Sequence, residues 1–226
     1  MRKLHLSKTV LKHGVPRREF LQYMAMVSAV PYFQDSVYGS INQSPKFLAY
    51  PFSLGVASGD PEPDGVVIWT RLVPDPLDGG SLNPEPIEVG WEVSQDEAFS
   101  KIVQKGKCLA TPQLGHSVHV ELTGLAPHSW YYYRFHAGAE VSPVGRTRTA
   151  PAMDAMPDKM KFAFTSCQHL ESGFFNGYPH MQKEDLDLII HLGDYIYEYA
   201  GKDNRVRKHL GKEVESLDEY RLRYSQ

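Results

Sequence analysis

The chain has 226 residues, a formal net charge of -3, and is 23% charged and 12% aromatic. This balance excludes a strongly basic face of the kind that binds nucleic acid. It also argues against disorder away from the ends, because the aromatics provide apolar area for a core. The length fits one medium domain or two small ones.

Residues 1–40 read as an export signal. In "VPRREFLQYMAMVSAVPYF", Arg17 and Arg18 precede Phe20 and Leu21 at the spacing of a twin-arginine motif. The apolar segment 23–33 is too short to span a bilayer, which needs about 20 residues. A basic start and a short apolar stretch are the marks of a cleaved signal, and "VYGS" at 37–40 supplies small residues for cleavage. The plainer alternative is an amphipathic helix with a chance Arg-Arg pair. The signal predicts passage through the twin-arginine export machinery to the periplasm or cell exterior, with no permanent membrane anchor. That route carries folded proteins, often with metal inside.

Residues 44–150 predict an all-β domain. Segments 65–72, 87–94, 117–125 and 130–138 are short, rich in β-branched and aromatic residues, and separated by Pro/Gly turns. A last strand is expected within "VSPVGRTRTAP". Such spacing argues for an immunoglobulin/fibronectin-like sandwich. Leu125, Pro127 and Tyr131 stand at the spacing of a tyrosine corner, in which a strand tyrosine hydrogen-bonds backbone at the preceding turn. The aromatic run from Trp130 is therefore read as packing rather than a binding stack.

After a Pro/Met/Asp linker at 150–160 the pattern changes. Over 158–226, "KFAFTSC" reads as a strand, "GFFNGYPHMQKED" as a short helix interrupted near Pro179, and "LDLIIHLGD" as a strand buried on both faces of a parallel sheet. Strand, helix and strand make a βαβ unit. The tail "VESLDEYRLRYSQ" looks helical, with Leu217, Tyr220 and Tyr224 on one side.

A right-handed crossover brings the ends of both strands to one sheet edge, where open α/β sheets bind ligands. Cys167 ends the first strand and Asp194 the second. A helical turn after Asp194 would put Tyr197 on the same face, three residues on. Thiolate, carboxylate and phenolate together suit a highly charged cation, and phenolate is an iron ligand. Such an ion lowers the pKa of bound water, and a second metal bridged by Asp194 would serve phosphoryl transfer. Taken singly, each residue has a plainer role: buried packing for the cysteine, a cap for the aspartate, a core aromatic for the tyrosine. Their joint placement favours a metal site. His191 lies inside the strand and reads as a core histidine; His169 and His180 are weaker candidates near the edge. Tyr195 and Tyr199 read as packing. Cys108 and Cys167 could pair in an oxidising compartment, or be one buried thiol and one ligand.

Four segments carry a resemblance: "FSLGVASGDPEPDGVVIWTRL", "FAFTSCQ", "HLGDYIYEY" and "YRLRY". In this order they resemble the alkaline phosphatase D (PhoD-like) family of exported metallophosphoesterases. The Gly193, Asp194, Tyr197 pattern is also similar to that of purple acid phosphatases. The resemblance implies an N-terminal sandwich followed by the start of an α/β calcineurin-like metallophosphatase domain. It implies Fe3+ held by Cys167, Asp194 and Tyr197, with Asp194 bridging to Ca2+ or another divalent ion. Cys167 stands where most metallophosphoesterases begin an Asp-x-His motif. The implied reaction is hydrolysis of small phosphate mono- and diesters by a metal-activated hydroxide or oxide at a two-metal site, with no covalent phosphoenzyme. A Cys108–Cys167 disulfide would remove a ligand and is expected to be absent from an active form. Family members are about twice this length, so a fragment that is inactive and poorly soluble alone is expected. The alternative is a non-catalytic secreted β-sandwich binding module with a vestigial phosphatase segment.

Overall fold

The computed structural model describes residues 41–77 and 82–226. The arginine pair and the apolar segment of the export reading lie outside the described residues.

Eight strands build two antiparallel sheets. The smaller has the order β1-β2-β5, with β1 (Val56–Glu62), β2 (Gly65–Arg71) and β5 (Ser117–Leu122). The larger runs β4-β3-β6, from β4 (Ile102–Ala110), β3 (Ile87–Ser94) and β6 (Trp130–Ala137). The free edge of β6 is shared by β7 (Glu140–Val141), which pairs with its end, and β8 (Gly145–Arg148), which pairs with its start.

Strand periodicity explains the core. In β6, Tyr131, Tyr133, Phe135 and Ala137 point inward while Trp130, Tyr132, Arg134 and His136 point outward. Val66 and Ile68 of β2, Val89 and Val93 of β3, and Val118, Val120 and Leu122 of β5 meet them in one buried cluster. Outside, the Arg146 and Arg148 guanidinium carbons lie 4.1 and 5.2 Å from the Trp130 ring centroid. Ala126 donates its N–H to the Tyr131 hydroxyl at 2.9 Å, the bond that the spacing of Leu125, Pro127 and Tyr131 anticipates.

Two strands were not legible in the sequence. β1, "VASGDPE", carries Gly, Asp and Pro and is largely exposed, so neither propensity nor alternation marks it. It forms because it is an edge, where Pro61 interrupts no central ladder, and its register slips between Gly59 and Glu62 with Asp60 at φ 48°. β4 is an edge of the larger sheet. Its Gly106 lies under the Trp91 indole, where a Cβ would come within 2.5 Å of the ring.

The remaining elements follow the expected crossover. β9 (Phe162–Thr165) and β10 (Leu188–His191) are adjacent and parallel, registered from Phe162↔Leu188 to Thr165↔His191, with α1 (Gly177–Met181) between them in sequence. Three details differ from the reading. Pro179 lies within α1 rather than interrupting it, because first-turn N–H groups have no helical partner to lose. The continuous apolar run of β10 predicts burial on both faces, yet Ile189 and Ile190 are 54% and 39% exposed, since the described residues place only two strands in this sheet. His191 is half-buried; its Nδ1 accepts the Gly193 N–H at 3.2 Å and so shapes the turn that follows.

The tail forms α2 (Leu217–Arg223), opened by a capping box in which Ser216 Oγ accepts the Glu219 N–H and Glu219 accepts the Ser216 N–H. Arg71 ties this helix to the smaller sheet. Buried at 7% exposure, it donates to Gly115 O at 2.9 Å, Arg221 O at 3.2 Å and Ser225 Oγ at 3.1 Å. Among the described residues no helix is long and apolar enough to cross a membrane.

Candidate metal centre

The β9/β10 ladder continues past the strands. Leu192 donates to Thr165 O at 2.8 Å and Cys167 to Gly193 O at 3.0 Å, so the two chains leave the edge side by side. Both then enter left-handed backbone, Cys167 at φ 54° and Asp194 at φ 52°. Their side chains meet across 27 positions of sequence: Cys167 Sγ lies 3.5 Å from Asp194 Oδ2. The Tyr197 hydroxyl donates to the same oxygen at 3.0 Å. The three predicted donors therefore converge.

The route of Tyr197 differs from the expectation. No helical turn follows Asp194; residues 194–198 are irregular. The phenol reaches back across open backbone held from behind. Arg223, 4% exposed, donates to the carbonyls of Tyr197, Tyr199 (3.0 Å) and Lys212 (3.3 Å). The His169 ring lies 4.6 Å from the Tyr197 ring and tilts 44° to it. Tyr195 and Tyr199 are exposed and pack by stacking: Tyr195 on Tyr224 at 5.7 Å and Tyr199 on Tyr197 at 6.4 Å. His180 is exposed on α1, and the cluster's hydrogen bonds do not involve it.

The electrostatics of the trio test its fitness for a cation. Desolvation, then the hydrogen bonds to Asp194 and Cys167, then their charges, push the Tyr197 phenol up to about 12. Asp194 and Cys167 thus oppose ionisation of the phenol. A highly charged cation held by all three would offset those negative charges, so the donor set fits one.

The two cysteines are free and dissimilar. Cys108 donates to Val89 O at 3.4 Å, and burial, with Glu88 adding to it, pushes its thiol up to about 12. At pH 8 that leaves about one molecule in 10,000 as thiolate. A thiol-exchange reagent at pH 8 should therefore titrate one cysteine per native chain, the exposed Cys167, and two after denaturation. Two fast-reacting thiols in the native state would contradict the packing around Cys108.

A second cluster escaped the sequence reading. His169, Glu171 and His209 each place one potential ligand atom within 4.8 Å of the others. Glu171, 2% exposed, accepts the N–H groups of Lys202 (2.9 Å) and His209 (3.0 Å) on Oε1. Those bonds outweigh desolvation and hold its carboxyl below the usual range. Burial, with Arg223 adding to it, lowers the pKa of His209. Only His169 was legible as a candidate; Glu171 and His209 lie in polar stretches with no periodic signal.

A parallel βαβ unit with polar donors at the carboxyl ends of both strands, following an all-β region, has the arrangement at which open α/β sheets bind ligands. Comparison with known proteins makes this specific. Residues 39–151 match the family described as "PhoD-like phosphatase, N-terminal domain", and residues 162–226 match "PhoD-like phosphatase". The chain belongs to the PhoD-like phosphatase family. It is 54% identical over 191 residues to "Alkaline phosphatase D" of Bacillus subtilis (strain 168), an alignment covering 82% of this chain and 33% of that protein. The solved "Structure of PhoD" superposes with a TM-score of 0.78 at 54% identity, covering 80% of this chain and 36% of that one. The chain thus spans about a third of the length of these relatives.

Proposed function

We propose that Cys167, Asp194 and Tyr197 are ligands of a ferric ion in an exported phosphoric ester hydrolase, with Asp194 shared with Ca2+ or another divalent ion. The observation that carries this is the convergence of a thiol and a phenol on one carboxylate oxygen, at 3.5 and 3.0 Å. Membership of the PhoD-like family, and the name of the Bacillus subtilis relative, support phosphate esters as the substrate class. When bound, such ions lower the pKa of water and offset charge developing on a phosphoryl group. The chain's own part is to aim the donors. The left-handed residues turn both strand ends inward, Arg223 holds the Tyr197 backbone, and exposure of the cluster leaves a small substrate a path to it.

The same reading divides the chain into an export signal at 1–40, an immunoglobulin/fibronectin-like sandwich at 44–150 and a calcineurin-like segment at 158–226. The Tyr131 corner bond supports the sandwich, and the parallel β9/β10 pair supports the α/β segment. The Arg17–Arg18 motif supports twin-arginine export to the periplasm or beyond.

Loading the purified chain with iron in air tests the proposal. A visible tyrosinate-to-iron band should appear and should vanish in Tyr197→Phe, while Tyr195→Phe and Tyr199→Phe keep it. Iron bound without the band, or a band that survives Tyr197→Phe, would refute the ligand assignment. Hydrolysis of nitrophenyl phosphate esters, assayed on a protein with the full length of the relatives, should follow iron content.

A further inference from the structure

We propose that His169, Glu171 and His209 form a second cation site, of the zinc class, distinct from the Cys167–Asp194–Tyr197 trio. Two imidazoles and one carboxylate within 4.8 Å are a borderline-soft set of the kind that takes Zn2+ and leaves a position for water. The independent observation is His209. It is 5% exposed, yet neither ring nitrogen makes a hydrogen bond of good geometry, although the Gln226 side chain lies beside the ring. A buried imidazole with both nitrogens unmatched is unfavourable, and a ligated ion resolves that for one of them.

The surroundings suit this occupant. Glu171 engages the Lys202 and His209 amides through Oε1, which fixes the carboxylate and leaves Oε2 outside those bonds. His169 Nδ1 accepts the Glu171 N–H at 3.2 Å and lies 3.2 Å from Ser172 Oγ; ligation through Nε2 would put the ring proton on Nδ1, which would exchange the first contact for donation to the hydroxyl. His209 also borders a cavity of about 110 Å3 shared with Gln168, Tyr197 and Arg223, room for a water on the ion. The nearby Arg223 guanidinium is the opposing charge; it is directed at three backbone carbonyls, and the Glu171 carboxylate offsets it. The role that follows is a clamp. An ion here would join the turn after β9 (Leu170–Ser172) to the loop carrying His209, just behind the ring that packs on Tyr197.

Co2+ as a spectroscopic probe tests this in the full 226-residue chain, in a Cys167→Ala, Asp194→Asn background that disables the first cluster. Equilibrium dialysis should find about one Co2+ per chain, with visible d–d bands and no thiolate charge-transfer band. Adding His169→Ala or His209→Ala should weaken retention by at least about tenfold. His169 is half-buried, so its removal is expected to leave the fold intact, which circular dichroism checks, and it carries the test if His209→Ala unfolds. No Co2+ retained by the background protein, or equal retention after His169→Ala, would overturn the proposal.

Discussion

Phe135→Ala is expected to lower the unfolding free energy by about 3–5 kcal/mol. Phe135 has no exposed surface and lies on β6, which pairs with β3, β7 and β8 and so carries the larger sheet. Its ring meets Tyr133 edge-to-face at 6.2 Å and 85°, an arrangement worth about 0.5–1.5 kcal/mol beyond area alone. Truncation leaves a void in a core rich in Val and Ile, whose β-branched side chains, locked in their rotamers, collapse into it poorly. Against a typical domain stability of about 5–15 kcal/mol the loss is a large fraction. Denaturant melts of the native and substituted chains measure it. Tyr132→Ala, on the outward face of the same strand, should cost well under half as much. Equal costs would mean that the alternation along β6 does not decide the packing.

Arg223→Ala is expected to cost about 2–4 kcal/mol, because it leaves buried acceptors unmatched as well as losing charge-assisted bonds. The guanidinium gathers three carbonyls, those of Tyr197, Tyr199 and Lys212, from two loops. The effect should be local. Hydrogen exchange at 195–200 and 211–215 should accelerate while the sandwich strands keep their protection. Arg223→Lys should recover only part, since an ammonium cannot span three acceptors with a planar fork. The same substitution should weaken the tyrosinate-to-iron band by freeing the backbone behind the phenol. Protection unchanged at 195–200 would show that Arg223 does not position Tyr197.

Most of the architecture could be read from pattern. The aromatic run from Trp130 was legible as packing, though its alternation into inward and outward residues emerges only in the structure, and two apolar runs around a short helical segment pointed to the parallel pair. Topology then placed Cys167 beside Asp194 without any contact being known. Tyr197 does come beside Asp194, but by another route than its spacing suggested: irregular backbone anchored by Arg223 delivers it instead of a helical turn. What stayed hidden has one physical cause. Arg71, Glu171, His209 and Arg223 are charged or polar groups in polar stretches, and burial alone distinguishes them. Burial of such groups follows from tertiary neighbours that local pattern does not encode. The exposure of Ile189 and Ile190 is the converse case, apolar pattern without a covering layer.

The left-handed backbone at Cys167 and Asp194 has an evolutionary consequence. Each non-glycine residue held there stores strain on the order of 1 kcal/mol, less for aspartate than for cysteine. Glycine at either position would relieve that strain while deleting a donor. Selection for thermostability alone would therefore tend to erase the cluster, and lineages that keep it reveal selection acting on chemistry. In a set of drifting sequences, glycine arriving at 167 or 194 should be the first trace of a chain released from that demand, appearing before any decay of the sandwich core.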